Sequence, residues 1–336
     1  MKIKKQDDYD VLVESISKIY TEGYVAIVKM TYRTILHTYW QIGQFIVEYE
    51  QKGNLKAQYG LQLLAKLAKD LTLIHGKGFS RPNLNNMRLL YARYPICQTL
   101  SDKLSWSHYI ELISIEHDLE RSFYEKQAIN ERWDVRELRR QKKTSLFLRL
   151  AASKDKEGIL QLAQQGQTIE HPADIIREPY VFEFLKIPAP YKISEKLLEK
   201  RLLDNLQTFL LELGKGFALI GRQYVINIGN KQFKVDLVFY HRFLRCFVLI
   251  DLKMTPIMHD DIGQMNLYMG YFAEEENAPD DNPPIGIILT REANQMLVKY
   301  ATYGMSSQLF VAKYQLYLPD EEQLRQQLEF ILNTED

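Results

Sequence analysis

The 336-residue chain has no net charge and contains only two cysteines. The scarcity of cysteine limits the classes of protein to which the chain can belong. Its two cysteines, Cys97 and Cys246, lie far apart and lack the spacing of metal ligands. This excludes a disulfide framework and a cysteine-ligated metal. Cys246 falls in an apolar segment, where we expect a buried thiol. Such cysteine usage is typical of proteins from a reducing compartment.

Long apolar runs are also missing. No segment approaches the roughly 20 apolar residues that a membrane-spanning helix requires. The first residues, Met-Lys-Ile-Lys-Lys-Gln-Asp-Asp, lack the apolar core of a secretory signal. We therefore expect a cytoplasmic protein that does not enter a membrane, and the chain length predicts two domains.

Two apolar segments rich in β-branched residues, Gln232–His241 and Arg245–Lys253, predict adjacent strands joined by a tight turn. Asp251 and Lys253 are two residues apart, so both point to the same face of their strand. If the turn is centred on Phe243-Leu244, Asp236 lies opposite Asp251. Two carboxylates and one ammonium group would then converge, although each is costly to bury without compensation.

This trio suits phosphodiester hydrolysis. Mg²⁺ binds one or two carboxylates together with waters and phosphate oxygens, and the ion activates a bound water. A neighbouring lysine would orient that water or stabilise the developing charge. The simpler interpretation is an internal salt bridge between an aspartate and Lys253. The second aspartate on a pairing strand favours a metal site that uses Mg²⁺ or Mn²⁺.

Two helices flank these strands and carry further candidates. The segment Ser194–Leu213 predicts a helix capped by Ser194, and Glu199 lies in the middle of its apolar stripe. The alternative is that Glu199 is exposed near the favourable amino terminus of the helix. Asp260–Phe272 predicts another helix, on which Gln264 and Tyr268 share a face. Both side chains can hydrogen-bond phosphate, although such a pair is commonly only a polar surface.

In this order the elements resemble the PD-(D/E)xK superfamily of restriction-endonuclease-like nucleases. Asp236 resembles its first metal-binding carboxylate, Asp251-Leu-Lys253 its second motif, and Glu199 its helical acid. Gln264 and Tyr268 resemble the Gln-x-x-x-Tyr motif of one branch. The chain has Val235 where proline gives the superfamily its name, and Asp251 where glutamate is commoner. The resemblance implies metal ligation by Asp236, Asp251 and Glu199, and catalytic roles for these three with Lys253, Gln264 and Tyr268.

The chain is more closely similar to the YhcG-type family of bacterial nucleases, over nearly its whole length. The similarity rests on Tyr39-Trp-Gln-Ile-Gly43, Gly78-Phe-Ser-Arg-Pro-Asn-Leu84, Gly221-Arg-Gln223 and Asp236-Leu-Val-Phe-Tyr-His241, among others. We expect a multidomain α plus α/β protein. A helical amino-terminal domain would precede a mixed-sheet core with the order αβββαβ.

The expected domain limits follow from composition. Residues 1–150 predict a helical domain, 151–190 a polar, proline-punctuated linker, and 191–336 the nuclease domain. Residues 1–170 hold 26 basic and 20 acidic side chains, a net charge of +6, and the remainder of the 43 and 43 leaves −6 for residues 171–336. A basic half beside an acidic, metal-binding half suits a protein that holds a phosphate backbone, although ordinary charge variation is the alternative.

Two predicted helices of the first domain are rich in arginine. Ser80 caps a helix that begins at Arg81-Pro82, and Asp134 caps a helix predicted over Val135–Leu150. These helices supply the candidate nucleic-acid contacts Arg81, Arg88, Arg93, Arg136, Arg139 and Arg140. The first helix could belong to a helix-turn-helix-like unit or to a plain helical bundle, and the sequence favours neither.

The sequence therefore predicts a metal-dependent nuclease acting on DNA, with duplex the expected form, in a restriction, defence or mobile-element setting. An accessory module that binds DNA or protein without cutting is the alternative. The joint presence of two carboxylates and Lys253 argues against that alternative. RNA as the substrate, endo- or exonucleolytic cutting, and self-association into a homo-oligomer all stay open.

Overall fold

The computed structural model describes residues 3–52, 57–152, 154–177, 179–187, 194–292, 298, 300, 303 and 308–333. The chain forms two compact units, Met1–Arg139 and Arg140–Asp336. Across the described ranges, no helix has the length and apolar character needed to cross a membrane.

The first unit is helical, as predicted. Its helices are α1 Ile3–Lys52, α2 Ala57–His75, α3 Arg81–Arg93, α4 Trp106–Ile113 and α5 Asp118–Glu131, followed by α6 Val135–Lys143, which ends in the second unit. A short 3-10 helix spans Cys97–Thr99.

Helix α3 begins where the sequence predicts and packs within a helical bundle. Ser80 caps it, because the Ser80 hydroxyl accepts a hydrogen bond from the Asn83 backbone N–H at 3.4 Å. Leu84 and Met87 bury one face of α3 in a core shared with α1, α2 and α4. A β-carbon on Gly43 of α1 would collide with the backbone carbonyl of Met87, so the glycine permits this close helix contact.

The second unit has a six-stranded mixed sheet in the order β1-β6-β5-β4-β3-β2. Its strands are β1 Tyr180–Val181, β2 Phe217–Ile228, β3 Lys231–His241, β4 Cys246–Lys253, β5 Ile285–Thr290 and β6 Gln308–Gln315. Strands β2, β3 and β4 are antiparallel, whereas β4, β5, β6 and β1 pair in parallel.

Helices cover both faces of this sheet. The described helices of this unit are α7 Leu146–Ala151, α8 Lys156–Gln165, α9 Glu195–Asp204, α10 Leu206–Leu213, α11 His259–Tyr271 and α12 Glu321–Asn333. Single helical turns occupy Pro172–Ile175, Glu183–Leu185 and Phe272–Glu276. One apolar core packs α9 and α10 on one face, and a second packs α11 on the other. The order α-βββ-α-β is the predicted restriction-endonuclease-like core.

Two helices predicted as continuous are each broken in the structure. The segment Val135–Leu150 divides into α6 and α7 at Ser145, whose φ of 53° is left-handed, and Arg149 Nε donates to the Thr144 carbonyl at 2.9 Å. The segment Ser194–Leu213 divides into α9 and α10 at Asn205, whose side-chain amide donates to the Arg201 carbonyl at 2.9 Å. In both places side chains satisfy backbone carbonyls that a continuous helix would use.

The segment 151–190, predicted as a linker, lies in the second unit. It contains α8 and β1, and β1 pairs in parallel with β6. The two units divide at Arg139/Arg140. Within the described part of this segment, Pro172 begins a 3-10 turn and Pro179 directly precedes β1.

A buried ionic cluster joins these elements. Glu212 of α10 is fully buried and contacts Arg149 at 2.8 Å, Arg140 at 3.1 Å and Arg177 at 4.0 Å. Its carboxylate also accepts a hydrogen bond from the Val181 backbone N–H at 2.8 Å. Burial alone would raise the pKa of Glu212, but the three guanidinium groups outweigh burial and lower the pKa.

We predict that Glu212→Gln destabilises the second unit by about 3–5 kcal/mol, because three arginine charges lose their buried counter-ion. Urea unfolding of the full chain measures this change. Glu321→Gln is the control, since Glu321 pairs with Arg325 at the surface and its loss should cost under about 0.5 kcal/mol. A Glu212→Gln effect as small as that of the control would contradict a structural role for the cluster.

Candidate active site

The register of β3 and β4 brings the predicted carboxylates together. Leu237 pairs with Ile250 and His241 with Cys246, so the next facing positions along the ladder are Asp236 and Asp251. The Asp236 carboxylate accepts a hydrogen bond from the Leu252 backbone N–H at 2.9 Å. The predicted turn centre at Phe243-Leu244 and the predicted convergence are therefore confirmed.

Asp251 is the more deeply buried of the two carboxylates, and its surroundings disfavour its ionisation. Asp251 is 6% exposed, whereas Asp236 is half-buried. Burial and the adjacent charge of Asp236 raise the pKa of Asp251 to about 7, with Lys253 opposing the rise. A pKa raised to about 7 leaves the Asp251 carboxyl of the metal-free site partly protonated near neutral pH.

Lys253 lies on the same face as Asp251 and is held between two acids. Its Nζ is 2.8 Å from Asp251 Oδ2 and 3.5 Å from Asp261 Oδ1. Burial would lower the pKa of the Lys253 ammonium group, but the charges of Asp251, Asp261 and Glu195 outweigh burial and raise the pKa. Lys253 is therefore a cation at neutral pH and cannot act as a general base there.

Glu199 of α9 is connected to the carboxylate pair through Gln223. The Gln223 side-chain amide donates to Glu199 Oε2 at 2.8 Å and to Asp236 Oδ1 at 2.9 Å. Glu199 is 8% exposed, and burial together with the charge of Asp236 raises its pKa. The predicted approach of Glu199 to the site is observed, although a glutamine stands between the two carboxylates.

Gln264 and Tyr268 of α11 contact each other beside the pair. The Gln264 amide donates to the Tyr268 hydroxyl, which in turn donates to the Lys234 carbonyl at 3.1 Å. Burial and the charge of Asp251 raise the pKa of Tyr268, which places its hydroxyl within the electrostatic reach of the site. Their predicted contacts with water or phosphate stay predictions.

Three polar side chains at the site were not predicted from the sequence. Gln223 has a left-handed φ of 46° and follows a register shift in β2 between Leu219 and Gly221, which no pattern reveals. Asp261 accepts from the Met258 backbone N–H at 2.8 Å, so in sequence it reads as a helix cap. Glu195 accepts from the Met254 backbone N–H at 3.0 Å, beyond the end of β4.

The donor set fits a divalent cation held partly by its substrate. Within the described residues, no group of three or more His, Cys, Asp or Glu side chains is arranged to hold a metal. Mg²⁺ and Mn²⁺ do not require such a group, because carboxylates, waters and phosphate oxygens complete their coordination. A cation between Asp236 and Asp251 would also relieve the repulsion that raises the Asp251 pKa.

The arginine candidates differ in how far they are engaged. Arg81 and Arg136 are exposed. Arg88 contacts Glu50 at 3.5 Å, and Arg139 contacts Glu111 at 2.6 Å. The Arg93 guanidinium donates to the Glu116 carbonyl at 3.2 Å.

Arg140 differs most from the nucleic-acid contact that the sequence predicts. It is half-buried and pairs with both Glu183 and Glu212. These contacts make Arg140 part of the buried ionic cluster, because its departure would remove a buried counter-ion from each of the two acids.

Comparison with known families agrees with this fold. Residues 173–329 match the YhcG PDDEXK nuclease domain, and residues 15–149 match the DUF1016 N-terminal domain. The second unit is thus a nuclease domain of the PDDEXK class.

One relative covers both regions. Over 323 residues the chain is 39% identical to "Putative nuclease YhcG" of Escherichia coli (strain K12), spanning 87% of this chain and 86% of that protein. The chain belongs to the YhcG family of PDDEXK nucleases. The crystal structure of a repair endonuclease from Pyrococcus abyssi overlaps 39% of this chain and 50% of its own, at 19% identity and a TM-score of 0.27, which is too low to support an argument.

We predict that the affinity for Mn²⁺ increases as the pH rises through about 7, because the proton on the carboxyl pair competes with the cation. Below that pH, the dissociation constant should change by up to about tenfold per pH unit for one displaced proton. Titration calorimetry of the full chain measures it.

The raised pKa of Asp251 also stabilises the folded protein at low pH, and this stabilisation is lost as the pH rises through the folded-state pKa.

Asp260→Asn is the control for the Mn²⁺ titration, since Asp260 is exposed and its replacement should leave the pH dependence of the Mn²⁺ affinity unchanged. A Mn²⁺ affinity independent of pH in the unaltered protein would contradict a metal site at this pair.

Proposed function

We propose that this protein is a Mg²⁺- or Mn²⁺-dependent nuclease that hydrolyses DNA phosphodiester bonds. The observation that carries the proposal is the convergence of Asp236, Asp251 and Lys253 at one end of the β3–β4 ladder. The membership of the chain in a family of nucleases supports the reaction class.

The roles follow from the charges at the site. Asp236 and Asp251 would hold the cation, with Glu199 supporting or completing the site. A bound Mg²⁺ or Mn²⁺ would lower the pKa of a coordinated water and offset charge on the phosphate. Lys253 would orient the attacking water and stabilise negative charge developing at phosphorus, since its ammonium group is already fixed by Asp251 and Asp261.

The supporting residues would keep these groups in place. Gln223 holds Glu199 and Asp236 in a fixed relation through its two hydrogen bonds. Tyr268 is tied to β3 by its hydrogen bond to the Lys234 carbonyl. Gln264 is half-buried beside it, and it would contact a metal-bound water or a substrate phosphate.

Duplex DNA is the proposed substrate because one stretch of the first unit has a local excess of basic side chains. Residues 51–100 contain eight basic residues and a single acid, Asp70. Lysine and arginine bind the phosphate backbone independently of sequence. Incubation with plasmid, linear duplex, single strands and RNA, with and without Mn²⁺, distinguishes DNA from RNA and a nuclease from a binding module.

We predict that Lys253→Ala lowers metal-dependent cleavage by at least about 10²-fold while DNA affinity stays close to wild type, because the lysine acts on the transition state. Asp251→Ala should abolish both cleavage and metal binding. Plasmid cleavage and calorimetry measure the two effects. Lys231→Ala, at the exposed first residue of β3, should cut at the wild-type rate. Undiminished cleavage by Lys253→Ala or Asp251→Ala would show the site to be misassigned.

We predict that joint replacement of Arg81, Arg88 and Arg93 by alanine weakens duplex binding equally for all sequences. The slope of log affinity against log salt should fall by up to about 0.9 for each phosphate that the variant no longer neutralises. Binding is measured with the cleavage-deficient Lys253→Ala chain across a salt series. Replacing exposed Lys126 on α5 controls for removal of one cation elsewhere. An unchanged salt slope would remove α3 from the DNA-binding surface.

A further inference from the structure

The amino-terminal part of α1 carries an apolar stripe that no described part of the chain covers. The large apolar side chains of this stripe are between 37% and 76% exposed: Val13, Ile16, Tyr20, Tyr24, Ile27 and Ile35. At 100° per residue, these six positions lie within a stripe about 100° wide. Every charged residue between Val13 and Ile35 lies outside the stripe. A helix with such a face requires an apolar partner.

The stripe continues along α1 into a groove. Ile42, Phe45 and Tyr49 lie on the same face of α1, and Leu63, Leu67 and Leu71 of α2 form the opposite wall. The groove encloses ≈ 460 Å³, and its Phe45 and Tyr49 side chains are 69% and 61% exposed. One helix therefore presents both a protruding apolar face and a concave apolar surface.

Face and groove are complementary when two α1 helices run antiparallel. With the two-fold axis at Thr31, facing residue numbers add to 62: Val13 meets Tyr49, Ile16 meets Ile46, and Tyr20 meets Ile42. Ile27 meets Ile35 near the axis. The stripe of each copy then enters the groove of the other, and the contact closes on itself instead of extending into a filament.

We propose that α1 forms an antiparallel dimer interface with a second copy of this chain, centred on Thr31. The inference concerns the first unit alone and is independent of the proposed nuclease activity.

The apolar area suffices for a stable pair. The contact extends from Val13 to Tyr49, about 55 Å along the helix at about 1.5 Å per residue. Tyr20, Tyr24, Phe45 and Tyr49 are each more than 60% exposed, and an aromatic side chain buries about 150–250 Å². These four offer roughly 400–600 Å² per copy. The aliphatic residues raise the total for both copies into the range of about 1,200–2,000 Å² typical of specific interfaces.

Neighbouring substitutions on α1 test the interface. Light scattering and sedimentation of the full chain across a dilution series should give twice the chain mass. Ile27→Glu should raise the dimer dissociation constant by at least roughly a hundredfold, because each dimer would bury two unpaired carboxylates. Ala26→Glu is the matched control: Ala26 is exposed, one residue away and off the stripe, so the dimer should persist.

Circular dichroism should show equal helix content in both variants, since both positions are exposed. A wild-type chain that stays monomeric at every concentration would overturn the proposal, as would equal effects of the two substitutions.

Single cysteines test the antiparallel register. In a Cys97→Ser background, which leaves only the buried Cys246, Thr31→Cys should cross-link to its own copy on mild oxidation. Val13→Cys and Tyr49→Cys should each fail to cross-link alone but form a mixed dimer when combined. Self-cross-linking of Val13→Cys would indicate parallel helices and overturn the register. Absence of cross-linking between two Thr31→Cys chains would also overturn the antiparallel register.

Discussion

The repulsion between Asp236 and Asp251, enforced by the register of β3 and β4, is the constraint on which the site depends. Side chains alternate along a strand, so a slip of one residue would move one carboxylate to the other face of the sheet. The apolar residues of β3 and β4 prevent that slip, because they fill two different cores. Packing therefore holds together two charges that would otherwise separate.

The neighbouring polar groups are arranged around this repulsion. Lys253 offsets it from one side, and Gln223 links Asp236 to Glu199 on the other. Burial and the adjacent charge of Asp236 keep the pKa of Asp251 raised despite Lys253. A site with unbalanced negative charge binds a divalent cation more readily than a neutralised one.

Stability and chemistry are supplied by different parts of the second unit. The Glu212 cluster fixes α6, α7, α10 and β1 with three arginines around one acid, whereas the Asp236–Asp251 pair sets two acids against one lysine. The two clusters look alike in sequence, as acids and bases scattered among apolar residues. Arg140 shows the difficulty: it lies in a basic run typical of nucleic-acid contacts, yet its partners Glu183 and Glu212 are 43 and 72 residues away.

The sequence sufficed wherever local pattern determined geometry. Period-two alternation and a short turn predict the pairing of Asp236 with Asp251, and Ser80 and Ser194 mark their helix starts correctly. The breaks at Ser145 and Asn205 could not be predicted, since they depend on side-chain bonds that compete with the helix. Strand β1 was also missed, because a two-residue strand has no periodicity and forms only when β6 is beside it. The place of Gln223 at the site could not be predicted without knowing the register shift in β2.

A crystal structure grown with Mn²⁺ tests the central claim most directly, through the anomalous scattering of the ion. We predict one anomalous peak at which carboxylate oxygens of Asp236 and Asp251 both lie at coordination distance, with Lys253 beside it. A peak that contacts only one of the two aspartates, or that lies away from the β3–β4 ladder, would contradict a metal site formed by this pair.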